Sequence, residues 1–290
     1  MKLSWFFGFF LVSGFCSLVY EVVWLRLAMA SFGVTTPLVS IVLSVFMAGL
    51  ALGSWLVGRL ARWFETRPPA SPIRFYALTE LLIAVSGMAV PRGLEWGRIL
   101  LEQVGSGVSW GSSSYYLASG SWIALTLLPI CTCMGATFPL AMSAIRKSFS
   151  AEAERSFSYL YSANVLGAIS GTVVSAFFMI ELLGFQGTLR VTAALNAILF
   201  ASAFIASFAE ARSGAPRAKD PAGASSEARL RSHGKGILWL LFTTGLASMA
   251  MEVGWFRQFT PYLGTVGYTF AAILTLYLTA TFLGSMAYRL

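Results

Sequence analysis

Apolar residues run along this chain in blocks of about twenty, broken by short polar or charged stretches. A hydrocarbon core of ~30 Å takes about 20 residues of helix to cross. Eight blocks meet or approach that length, at roughly 5–25, 37–60, 75–91, 115–143, 157–183, 188–208, 236–256 and 262–288. The pattern predicts an all-α, polytopic transmembrane helix bundle. The fourth block holds Pro129 and Pro139. Proline removes a backbone donor and crowds the preceding turn, so a kink or an early end is expected there. The first block is too long for the apolar region of a signal peptide and ends in no small-residue cleavage site, so it is expected to be a retained span.

Composition agrees with the pattern. Hydrophobic residues make up 57% of the chain and charged residues only 11%, against roughly 25% charged in a soluble domain. The mean hydropathy is +0.74. A net charge of +8 invites a nucleic-acid reading, but the basic residues lie between apolar blocks, which fits membrane orientation and not a polyanion groove. With the N-terminus placed inside, only Arg26, Arg92, Arg98, Arg190 and Arg257 face outward, and the other basic residues face inward. This bias predicts N-in, C-in topology, and the membrane expected is a bacterial inner (plasma) membrane.

One interruption is longer than the rest. Residues 209–235 ("AEARSGAPRAKDPAGASSEARLRSHGK") are rich in Ala, Ser, Gly and charge, which predicts a flexible cytoplasmic linker. The domain division expected is therefore 1–208 as a six-span half, 209–235 as linker, and 236–290 as two further spans. His233, the only histidine, is expected to be solvated at the end of that linker.

Small residues punctuate the spans. Ala163, Gly167, Gly171 and Ser175 recur every four residues in the fifth, and Gly49 and Gly53 do so in the second. Such stripes let helix backbones approach closely. Asn164 and Asn196 are expected to hydrogen-bond between helices. Cys16, Cys131 and Cys133 lie in apolar blocks and are expected to act as small membrane residues, not as metal ligands.

The opening span returns late in the chain. Shifting the sequence by 231 residues (Glu21 onto Glu252) aligns "GFCSLVYEVVWLR" with "GLASMAMEVGWFR". Gly14, Ser17, Glu21, Val22, Trp24 and Arg26 recur as Gly245, Ser248, Glu252, Val253, Trp255 and Arg257. The register holds onward: Gly33 falls on Gly264, and Leu52-Gly53-Ser54 on Leu283-Gly284-Ser285. Such self-similarity marks an internal repeat. Its unit is six spans plus the linker, so both copies enter the membrane in the same direction, giving a major-facilitator-like parallel repeat. The second copy holds two spans here, so further spans or a different continuation are expected beyond Leu290.

The motifs also carry a family resemblance. "GFCSLVYEVVWLR", "FMAGLALGSWLVGRLA", "YALTELLIA", "MGATFPL" and "YSANVLGAISG" occur in this order. Together they resemble the membrane module of spermidine-synthase-like proteins, including fused major-facilitator/spermidine synthases. The resemblance covers nearly the whole chain. It implies a multi-span module followed by a cytosolic aminopropyltransferase domain, with decarboxylated S-adenosylmethionine as co-substrate and a polyamine as acceptor. "GSWLVGRLARW" resembles the loop between spans two and three of major-facilitator transporters, but the usual Asp is missing and Ala61 stands where an acid is common. The catalytic half is not in this chain. Aminopropyl transfer needs carboxylates for the diamine and a glycine-rich turn for the nucleoside. The only aspartate is Asp220, in the linker. No catalytic residue, resident cofactor or metal site is therefore assigned. The partners expected are the bilayer, a catalytic domain or remaining spans, and a polyamine or other cation.

The candidate chemistry lies in the acids. Glu21 and Glu252 sit five residues before Arg26 and Arg257, roughly 7–8 Å of helix rise, so both are expected near the outer face. Glu80 is expected nearer the cytoplasmic side, and Glu181 at the outer face. Ionisable residues inside membranes are costly and often mark pathways. Two roles stay open for Glu21 and Glu252: pairing with Arg257 and Arg26 of the opposite copy, or lining a cavity that binds a polyamine, another cation or a proton. Trp24 and Trp255 are expected to anchor the outer interface.

Overall fold

The computed structural model describes residues 3–66, 71–104, 111–148, 153–212 and 221–287. Among these all regular structure is helical. The helices are α1 Leu3–Phe32, α2 Thr36–Thr66, α3 Pro72–Val104, α4 Ser113–Ser148, α5 Ala153–Val174, α6 Ile180–Arg212, α7 Pro221–Leu263 and α8 Val266–Ala287. A single π-helical turn, Ser175–Met179, joins α5 to α6. Of the segment expected as a linker, 209–212 end α6, 221–235 open α7, and 213–220 lie outside the described residues. The side chains of 209–235, His233 included, also lie outside them.

Seven helical stretches are long and apolar enough to cross a membrane. One of them, Ser158–Phe208, is 51 residues long, about 76 Å of helix and far more than one crossing needs. It turns back at Gly184, whose φ of 67° and ψ of 179° break the helix. That conformation is open only to glycine. Helix contacts show the reversal. Gly167 lies against Leu11 and Gly171 against Phe15, so α5 runs parallel to α1. Arg74 meets Phe208 while Gly87 meets Leu189 and Ala193, so α6 runs antiparallel to α3. The other pairs alternate likewise: Phe10 meets Phe138 edge-on while Tyr115 reaches Phe32, and Ser162 meets Ser285 while Phe177 meets Tyr268. Among the described residues α1 and α5 thus run one way and α4 and α8 the other, with α6 opposed to α3.

Close packing rests on glycine. A Cβ at Gly167 or Gly171 would collide with the backbone of α1, and one at Gly49, Gly53 or Gly135 would collide across the α2–α4 seam. Without a hydrophobic driving force between helices in lipid, such backbone approach is a main source of association.

The two prolines of α4 do not end it; the helix runs unbroken from Ser113 to Ser148. Pro139 leaves the Gly135 carbonyl without its helical donor, and Ser54 of α2 donates its hydroxyl there at 2.9 Å. A neighbouring helix so repairs the break that proline alone would make.

The α1 helix is the centre of the bundle. Val19, Tyr20, Val22, Val23, Trp24, Leu25 and Ala28 are all buried, covering its full circumference. Its repeat counterpart α7 is the opposite: among its described side chains only Glu252 and Phe256 are buried. Gly33 (φ 105°) and Gly264 (φ 84°) both take positive φ immediately after α1 and α7 end, the left-handed stop that glycine favours.

Candidate functional site: buried carboxyls within the helix bundle

Glu21 lies deeper than its spacing from Arg26 suggests. The expected end of the first span near residue 25 is wrong, because α1 continues to Phe32. Glu21 is therefore eleven residues, or about 16 Å of rise, from the end of its helix. Its side chain is 3% exposed, and Oε1 is buried without a hydrogen-bond partner. Glu252, on the one face of α7 that enters the core, is 6% exposed. The two carboxyls lie within electrostatic reach of each other, and Cys131 of α4 lies beside Glu21. The acid that the repeat duplicates is thus brought together with its own copy.

The arginines are elsewhere. Among the described residues the ion pair present joins Arg98 to Glu102 at 2.6 Å on the surface. Arg257 is exposed. Arg26 turns to α8, its guanidinium 5.0 Å from the centre of the Tyr268 ring. The Tyr268 hydroxyl donates to Glu181 Oε1, so Arg26, Tyr268 and Glu181 form a separate cluster. The crossed Glu–Arg pairs expected from the repeat are not made. The reason is geometric: five residues along a helix turn a side chain well away from the face of its partner. Glu21 faces inward while Arg26 faces α8.

Trp24 is also not an interface anchor. It is fully buried and stacks on Tyr20 with ring centroids 4.8 Å apart, and its indole N–H has no partner. Its counterpart Trp255 is 43% exposed. Identical sequence motifs therefore meet different surroundings, because α1 is enclosed and α7 is peripheral.

Glu80 forms a second centre. It is fully buried on α3, and Ser13 of α1 donates its hydroxyl to Glu80 Oε1 at 3.0 Å. Oε2 has no partner. Tyr76, one turn earlier on α3, sets its hydroxyl beside the carboxyl without hydrogen-bond geometry. Asn196 of α6 is buried, and its Oδ1 is unpartnered, so the hydrogen bond between helices expected of it is not made there. Asn164 instead lies against Gly14 of α1.

Sequence reasoning named the three acids but missed Ser13, Tyr20 and Tyr76. Tyr76 and Glu80 stand at i and i+4, the spacing that sets two side chains on one helix face, so that partner was within reach of the sequence. Ser13 needed the packing of α1 on α3, which no local pattern reveals.

No family model, characterised protein or solved structure matches this chain.

Proposed function

We propose that this chain is the transmembrane module of a spermidine-synthase-like membrane protein, and that Glu21 and Glu252 hold a polyamine ammonium or a similar organic cation within the bundle. One observation carries this reading. The two acids are buried within electrostatic reach of each other, with no basic side chain paired to either among the described residues.

Two ionised carboxylates close together in a dry interior repel and are poorly solvated. A bound ammonium group relieves both costs, since it brings positive charge and N–H donors to the free Glu21 Oε1. Tyr20 and Trp24 add aromatic surface one turn away or less on α1, which suits a cation with a methylene stem. The ordered motifs from Gly14 to Gly171 add the family context, in which a polyamine is the substrate of a cytosolic aminopropyltransferase. In that setting the module anchors the enzyme and carries or presents polyamine. The distribution of basic residues supports the N-in orientation, and a bacterial inner membrane is the location that goes with this reading.

A second reading, a stand-alone secondary transporter of the major-facilitator type for a small cation, is favoured by the repeat, whose register places positive-φ glycines at the ends of both α1 and α7. Both readings use the same pair of acids.

Purified chain in liposomes tests the shared claim. Wild-type protein is expected to bind labelled spermidine saturably, and Glu21→Gln and Glu252→Gln to weaken binding about tenfold or more. That is the loss of a charged hydrogen bond of roughly 1.5–3 kcal/mol. Unchanged binding in both variants, with only thermal stability lowered, would mean that the acids serve structure alone.

A further inference from the structure

The Glu80 centre is distinct from the Glu21–Glu252 pair: a hydroxyl from another helix donates to one carboxyl oxygen, and the other oxygen is buried without a partner. We propose that Glu80 is a proton-binding site of the bundle, in which the carboxyl takes up and releases a proton at Oε2 with Ser13 and Tyr76 as its hydrogen-bond partners. The site stands by itself; its coupling to cation binding rests on the function proposed above.

Glu80 is fully enclosed, with Ser13, Cys16, Tyr20 and Tyr76 around it, and a proton is a ligand that such a site takes without added volume. The charges around the carboxyl point the same way. From α1 it is faced by Cys16 and Tyr20, and from its own helix by Tyr76, all neutral in their ordinary protonated forms. From α6 the Thr192 carbonyl accepts from the Cys16 thiol at 3.9 Å. On the same helix Arg74 has its guanidinium 5.5 Å from the centre of the Phe208 ring, and Arg92 and Arg98 stand twelve and eighteen residues after Glu80. No described Lys or Arg pairs with Glu80.

A carboxylate accepts from the Ser13 hydroxyl at Oε1, and a side-chain rotation that brings the Tyr76 hydroxyl into hydrogen-bond geometry lets it donate to Oε2. A carboxylic acid protonated at Oε2 donates instead to the Tyr76 oxygen, since a phenol serves as donor or acceptor. One proton enters and the same proton leaves; no other bond changes. The α1 helix links this centre to the cation pair. Ser13 is eight residues before Glu21, about 12 Å along the helix. Tyr20, next to Glu21 in sequence, is within electrostatic reach of Glu80, and its unpartnered hydroxyl lies against Gly87 of α3.

Infrared spectra of the full chain in liposomes, recorded through a pH titration, test the site. Wild-type protein should show a carboxylic C=O band that grows on acidification and disappears on alkalinisation. Glu80→Gln should remove it, and the Glu21→Gln/Glu252→Gln double variant should keep it. Ser13→Ala and Tyr76→Phe, which leave the carboxyl in place, should each shift its frequency. A Glu80→Gln spectrum that matches wild type at every pH overturns the assignment, as does a band that is constant with pH or indifferent to both partner variants. Coupling is measured separately, by a pH dye in lightly buffered liposomes on addition of spermidine. Proton release lost in Glu80→Gln while spermidine still binds supports coupling, and release unchanged in that variant refutes it. Failure of wild type to bind spermidine refutes the cation reading and with it the coupling, while the infrared titration still decides the proton site.

Discussion

Ser54 and Pro139 lie on different helices, yet one answers the other. The carbonyl freed by proline accepts the serine hydroxyl at 2.9 Å. Ser54→Ala is expected to lower stability by about 0.6–1.7 kcal/mol, the range for hydrogen bonds between membrane helices, as read from unfolding in mixed micelles. An unchanged unfolding midpoint would mean that water or lipid satisfies that carbonyl. At this scale the sequence made visible which side chains were out of place in lipid, since Glu21, Glu80 and Glu252 stand out in apolar blocks. It did not show what they face. The proximity of Glu21 and Arg26 in sequence suggested crossed ion pairs, but rotation about the helix axis separates them, and only the packed structure shows Arg26 lying over Tyr268.

Among the elements, the repeat supplies an internal control. Gly53 and Gly284 occupy equivalent positions, but a Cβ at Gly53 would meet the backbone of α4, while one at Gly284 meets nothing within 4 Å. Gly53→Ala should therefore cost roughly 1–3 kcal/mol as overpacking, and Gly284→Ala should be neutral or slightly stabilising through helix propensity. Paired thermal melts of the two variants measure the contrast. Equal losses would show that α8 is covered as tightly as α2. The turn at Gly184 gives a second test. Any side chain there is strained by about 1–3 kcal/mol, so Gly184→Ala should lower the melting temperature although no neighbour crowds it. Hydrophobic blocks revealed these elements well, because in a membrane length and apolarity nearly suffice. They misjudged the end of α1 and the surroundings of Trp24, and of the two outcomes expected at the α4 prolines the early end does not occur. Neighbouring helices decide the last two: one donates to a freed carbonyl, and others enclose a ring.

For the whole molecule, the repeat predicts more than similarity. One carboxyl stands on the central helix α1 and the other on the peripheral helix α7, and both are buried within electrostatic reach of each other. The duplicated motif was legible from sequence alone. Its meeting point was not, since it depends on which face of α7 docks, and only Glu252 and Phe256 of its described side chains enter the core. If the pair acts as one cation site, its members must be energetically coupled. The most direct measurement is a double-mutant cycle on spermidine affinity with Glu21→Gln, Glu252→Gln and the double variant, each checked for intact helical content. The account predicts that each single variant raises Kd about tenfold or more and that the double variant falls well short of the product of the two effects, because either loss dismantles the shared site. Single variants that leave Kd at the wild-type value would contradict it, and so would single effects that multiply fully in the double variant.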